Sequence, residues 1–192
     1  MYVAAAILAW LGASLVVLAD GRRGLALGLG LLTAGLAILA WPSAGLPGAL
    51  AVAAGGLIAS WQCWRSGPAT WGIMPAGSTA RLVLCVASGL LALWIAASVT
   101  NGVGAPIRFA VLAVLGLMAA RILGGRDAAV LLTCVAGFAL VLAVAPGLAA
   151  TPQGFVPAIA GGLVAAGAMF LPSGRLQSVP SSRSAPASKN GG

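Results

Sequence analysis

The side chains able to do chemistry in this chain are few. The stretch ARILGGRDAAVLL, residues 120–132, holds Arg121, Arg126 and Asp127, one of only two acids in 192 residues; the other is Asp20 in ADGRRG. A carboxylate in the middle of a membrane helix is the usual proton carrier of pumps and relays. Neither acid stands there. Each lies in a short turn beside arginines, where a carboxylate caps the free backbone N–H groups of a helix start and favours the positive end of its dipole. Asp20 and Asp127 therefore read as capping and orientation residues rather than proton sites.

Other chemistry is thinly represented. The absence of histidine removes bis-histidine haem ligation, histidine metal sites and histidine general bases together. There is no glutamate, and Cys63, Cys85 and Cys134 form no CxxC pair, so they read as reduced, small apolar residues. The seven-helix rhodopsins, which the topology superficially resembles, hold retinal on a lysine within a span; here the only lysine, Lys189, is near the C-terminal end. No catalytic residue, cofactor or metal is expected. Thr33, Ser60, Gln62, Ser88, Ser98, Thr100 and Thr133 are expected to bond helix backbone. Arg108 and Asn101 remain as candidates for contact with an anionic solute or lipid headgroup, Arg108 because it lacks an acidic neighbour in its connection.

The elements that carry these residues follow from composition. Hydrophobic residues make up 61% of the chain and charged residues 6%, with a mean hydropathy of +1.09. Soluble domains use about 25% charged residues to cover their surface. Lipid must therefore be the solvent, and the expected class is an all-α integral membrane protein. Seven apolar runs approach the length needed to cross about 30 Å of hydrocarbon: residues 2–19, 24–41, 46–64, 82–99, 107–123, 128–145 and 155–171. They form a compact transmembrane domain over 1–172. Turn-forming Gly, Pro, Asn and Ser fill the connections. Residues 173–192 are rich in Ser, Pro and Gly and basic, which predicts a disordered cytoplasmic tail resting on anionic lipid.

Nine of the ten basic residues fall on one side of this arrangement. Arg22 and Arg23 lie in the first connection, Arg65 and Arg81 flank the third, Arg121 and Arg126 flank the fifth, and Arg175, Arg183 and Lys189 follow the last span. Arg108 alone falls on the other side. Basic residues are retained in the cytoplasm, which places the N-terminus outside and the C-terminus inside. Tyr2 and Trp41 then belong to the outer interface, and Trp61, Trp64 and Trp71 to the inner one. The net charge of +8 belongs to this sidedness and not to nucleic-acid binding. MYVAAAILAWLGASLVVLAD lacks the basic start of a secretory signal and carries its charges after the apolar run, so it reads as a retained span. The bias to Ala, Gly, Leu and Arg fits a GC-rich bacterial genome, hence a bacterial inner membrane.

Three stretches share one plan: an arginine, an apolar run, a Gly/Pro turn, and a second apolar run containing Gly-Leu. From opening arginine to that glycine the separations are 33, 35 and 36 residues, Arg23 to Gly56, Arg81 to Gly116 and Arg126 to Gly162. The expected architecture is a half hairpin followed by three repeated helical hairpins. Gly24, Gly28, Gly56, Gly116 and Gly162 are expected to let helices approach closely, since packing and not water exclusion joins helices in lipid. Packing residues without a reactive set point to a noncatalytic structural or accessory subunit of a membrane complex, its partners being lipid and other membrane subunits. The alternative is a small transporter or channel for an apolar or small neutral or anionic solute.

Overall fold

The computed structural model describes residues 1–65, 79–99, 104–124, 128–148 and 154–170. Among these it is helical throughout, with α1 (Tyr2–Leu18), α2 (Arg22–Arg65), α3 (Thr79–Val99), α4 (Ala105–Gly124), α5 (Ala128–Val144) and α6 (Val156–Ala168), and a 3-10 turn at Ala145–Leu148. Three helical stretches are long and apolar enough to cross a membrane, Arg22–Arg65, Ala105–Leu123 and Ala128–Leu148. Shorter apolar helices cover Tyr2–Leu18, Leu82–Ile95 and Val156–Ala168.

The 44 residues of α2 are not one rod. Gly45 has φ 66° and ψ −171°, a left-handed conformation that a residue without Cβ adopts freely, and the chain doubles back there. The Ser60 hydroxyl donates to Ala26 O at 2.7 Å, and the Cys63 thiol lies 3.6 Å from Arg22 O. A Cβ on Gly56 would fall on Thr33. These pairs place arms 22–44 and 46–65 side by side and antiparallel. The turn predicted over residues 42–45 is thus mostly helix, with a break of one residue. Pro47 is tolerated because the first turn of the second arm has no helical acceptor for its N–H.

The first arm of α2 is the central pillar. Leu25, Leu29, Leu32, Leu36 and Leu39 are each no more than 1% exposed. On one side α1 comes within backbone contact: a Cβ on Gly35 would sit 2.6 Å from Ala5 O, and one on Gly28 would sit 2.9 Å from Gly12 O. α5 crosses at Gly137, close to both Leu32 and Met118 of α4. α6 closes against the second arm, where Gly55 meets Gly162, and against α5, where Gly161 meets Ala139 and Ala143. Dispersion between closely fitted backbones is the attraction available to helices in lipid, and each of these glycines allows the approach.

Three of the five predicted packing glycines lie in such seams, Gly28 against Gly12 and Val16, Gly56 against Thr33 and Gly162 against Ala51, while Gly24 meets Ala19 of the preceding connection. Gly116 lies in none. It is exposed, with nothing within 4 Å of where a Cβ would stand. Gly116 therefore does not share the packed surroundings of Gly56 and Gly162. The final predicted span is also shorter than expected, with α6 covering 13 residues, about 20 Å. Pro157 sits in its first turn without breaking it.

Candidate functional site

Two places concentrate what polar or open space the bundle has, one at each end. At the end holding the α1–α2 connection, Arg121 is buried at 5% exposure on the inward stripe of α4. One guanidinium nitrogen donates to Asp20 Oδ1 at 2.6 Å and to the backbone oxygen of Ala19 at 3.1 Å. The carboxylate is the outer member, 36% exposed. Arg121 Nε has no acceptor among the described residues. The pair joins the last turn of α4 to the connection between α1 and α2, two segments 101 residues apart.

This geometry adds a cross-helix contact to the predicted roles of Arg121 and Asp20. Arg121 does not reach out to an interface but turns into the bundle. Asp20 accepts from a side chain of another helix, and the Gly21 carbonyl accepts the Leu25 N–H at 3.0 Å where α2 begins. Around the pair the same end gathers further cations: Arg23 lies 5.5 Å above the Trp64 ring and Arg65 5.9 Å from the Trp61 ring, both within cation–π range. Arg22 opens α2 beside Cys63. Arg81 lies in the first turn of α3. Arg126, Asp127, Asn101, Trp71, Thr100 and the segment 171–192 lie outside the described residues.

Four described hydroxyls bond the backbone of their own helices. Thr33 donates to Leu29 O at 2.7 Å, Thr133 to Ala129 O at 2.8 Å, Ser88 to Cys85 O and Ser98 to Ile95 O, each within its own helix. Such bonds satisfy a hydroxyl without presenting it to a ligand. Cys63, Cys85 and Cys134 are free thiols, all buried. Among the described residues no group of three metal-ligating side chains converges.

At the opposite end a lateral cavity of about 730 Å³ opens between α1, α3 and the start of α4. Its walls are Ala6 and Ile7 of α1 with Met1 just before it, Val86 and Leu90 of α3, and Pro106 and Phe109 of α4, with Trp10 at its inner end. The Trp10 indole is wedged against Gly89, where a Cβ would stand 2.7 Å from Nε1, and that nitrogen is buried without an acceptor among the described residues. Arg108, the predicted solute or headgroup contact, lies half-buried on the face of α4 next to these residues and is not itself part of the wall. The cavity was not legible in the sequence, because its lining differs in no chemical respect from the core.

α3 bounds this cavity and is the least enclosed helix. Cys85, Gly89 and Ala92 face the bundle, whereas Leu82, Val83, Leu84, Val86, Leu90, Leu91, Leu93 and Trp94 are exposed. No protein family, curated protein or solved structure matches this chain.

Proposed function

We propose that the chain is a noncatalytic, multi-pass protein of the bacterial inner membrane that serves as a structural or accessory subunit of a larger membrane complex. The two arms of α2 supply two crossings, and α1 and α3 to α6 supply five more, each shorter helix being accommodated by local thinning of the bilayer or by interfacial residues. The α2 hairpin and the α3–α4 and α5–α6 pairs support a plan of one half hairpin and three hairpins. Arg22, Arg23, Arg65 and Arg121 gather at one end, which by the retention of basic residues is the cytoplasmic end, leaving the N-terminus outside.

The observation that carries the subunit reading is the exposed circumference of α3. A helix with apolar side chains on nearly every face and three small contacts to its own bundle is suited to joining a neighbour. The first arm of α2 fills the bundle centre with leucine, which favours this reading over solute passage along the axis. The test is extraction of the tagged full chain in mild detergent, with a photo-crosslinking residue at Leu91 on the outer face of α3. Stoichiometric membrane polypeptides crosslinked at that position are expected. A monodisperse chain with no polypeptide adduct overturns the subunit reading, and solute flux in liposomes containing the chain alone would replace it with transport.

A further inference from the structure

The open end of the α2 hairpin brings cations and indoles together at the rim of an apolar face. The Cys63 thiol beside Arg22 O sets the start of the first arm next to the end of the second. Arg23 then lies 5.5 Å from the Trp64 ring across the two arms, and Arg65 lies 5.9 Å from the Trp61 ring along the second. Trp61 and Trp64, three residues apart, share one side of the helix, and both are exposed. Arg22, Arg23, Arg65 and Arg121 outnumber the two acidic side chains of the whole chain, so this end stays cationic whatever contacts the individual arginines make. A guanidinium carries five N–H donors and can hold phosphate oxygens alongside its other neighbours. The surface beside the arginines separates a lipid from a soluble phosphate. Beyond Trp61 the exposed face of the second arm continues through Ile58, Leu57 and Ala54. From Ala54 to Arg65 the rise is about 16 Å. That is close to half of the hydrocarbon thickness of about 30 Å, the depth of one leaflet. Apolar groups, indoles and guanidinium groups thus follow one another along one face, in the order of acyl chain, interface and phosphate in a lipid.

We propose that the open end of the α2 hairpin binds an anionic phospholipid of the adjoining leaflet, its phosphate taken by Arg23 and Arg65 and an acyl chain lying along Leu57 and Ala54. The inference rests on the membrane-spanning part of the preceding reading and is independent of whether partner subunits exist. The two indoles hold the guanidinium groups at headgroup level by cation–π attraction. Lipid tails gain no hydrophobic energy on leaving other tails, so selection comes from the headgroup charge. One arginine comes from each arm, so a bound phosphate ties the hairpin at the end opposite the Gly45 turn.

The test uses the full chain purified in mild detergent and examined by native mass spectrometry after titration with phosphatidylglycerol or phosphatidylcholine. Phosphatidylglycerol is expected to be retained about twentyfold better, each of the two arginines contributing about fivefold. Arg23→Gln and Arg65→Gln are each expected to lower that preference about fivefold and together to abolish it. Arg108→Gln, which removes the same charge at the opposite end of the bundle, is expected to leave it unchanged. Unchanged protection of the buried Cys134 from thiol labelling shows that the variants compared are folded. A photo-crosslinking residue at the exposed Leu57 in the otherwise unaltered chain is expected to yield a lipid adduct. No preference in the parent, a preference that survives in the double variant, or an equal loss in Arg108→Gln each overturns the proposal. So does displacement of the lipid by millimolar inorganic phosphate, or a polypeptide adduct at Leu57. Release of the chain from membranes by carbonate would instead refute the membrane-spanning reading, and loss of polypeptide adducts at Leu91 alone would refute only the subunit reading.

Discussion

Asp20→Asn is expected to destabilise the bundle more than Arg121→Met does, although both remove the same ion pair. Arg121 is the buried member, at 5% exposure, while the Asp20 side chain keeps 36% of its surface open. Breaking a fully buried pair by removing one partner costs about 3–5 kcal/mol, because a desolvated charge is left behind. In Asp20→Asn the guanidinium retains Ala19 O and gains at best a neutral amide acceptor, so the loss is about 2–3 kcal/mol. In Arg121→Met the charge leaves with the side chain, an apolar group of similar length fills the site, and the carboxylate, 36% exposed, stays solvated. The loss is then that of a partly exposed pair, about 1 kcal/mol. The double variant should fall near Arg121→Met alone, so the single losses exceed their joint effect by about 2 kcal/mol. Thermal unfolding in mild detergent, followed by thiol labelling of the fully buried Cys134, measures the series. For a chain of this size about 2–4 °C per kcal/mol gives a Tm fall of roughly 4–12 °C for Asp20→Asn and 2–4 °C for Arg121→Met. The reverse order, or strict additivity, would refute the reasoning and mean that Arg121 answers mainly to a group other than Asp20.

Two glycine substitutions separate the packed seams from the lipid-facing surface. Gly55→Ala places a Cβ on the Gly162 backbone and is expected to lose about 1–3 kcal/mol, whereas Gly116→Ala meets nothing and should gain about 0.5–1 kcal/mol of helix stability. Melting temperatures that move together for the two would contradict the packing described. At the α2 turn, Gly45→Ala forces a side chain into φ 66° and is expected to lose about 1–2 kcal/mol. A variant melting with the parent would mean that the turn relaxes without a left-handed residue.

The ends of the helices were legible for a physical reason. Clustered Pro and Gly favour a reversal through their own backbone geometry, so WPSAGLPG marks the α2 turn whether lipid or protein surrounds it. The direction each helix faces was not legible, and α4 shows why. Its inward stripe is Ala110, Val114, Leu117, Met118 and Arg121, and its outward stripe is Leu112, Gly116, Ala119 and Leu123. In water the first stripe would be apolar and the second polar, and a 3.6-residue pattern would separate them. In lipid both are apolar, so the pattern vanishes. Gly116 was therefore assigned to a seam by its neighbours in sequence when it stands on the same face as Leu112. Arg121 was assigned to the interface by its charge when it stands on the same face as Leu117.

One trace of the true arrangement was nevertheless present. In a chain with ten basic residues and two acids, an acid has many suitors and can be claimed across any sequence distance, so neighbouring arginines say little about its partner. Arg22 and Arg23 are near Asp20 in the chain and lie in the first turn of α2. Arg121 ends a helix that returns to the same level of the bundle, and its side chain lies on the buried face, where an unpaired charge is least tolerated. Asp20 reaches a buried cation that needs a counter-charge, although that cation is 101 residues away in sequence. The same rule makes burial of the arginine, rather than loop position, the quantity to seek for any acid in this chain.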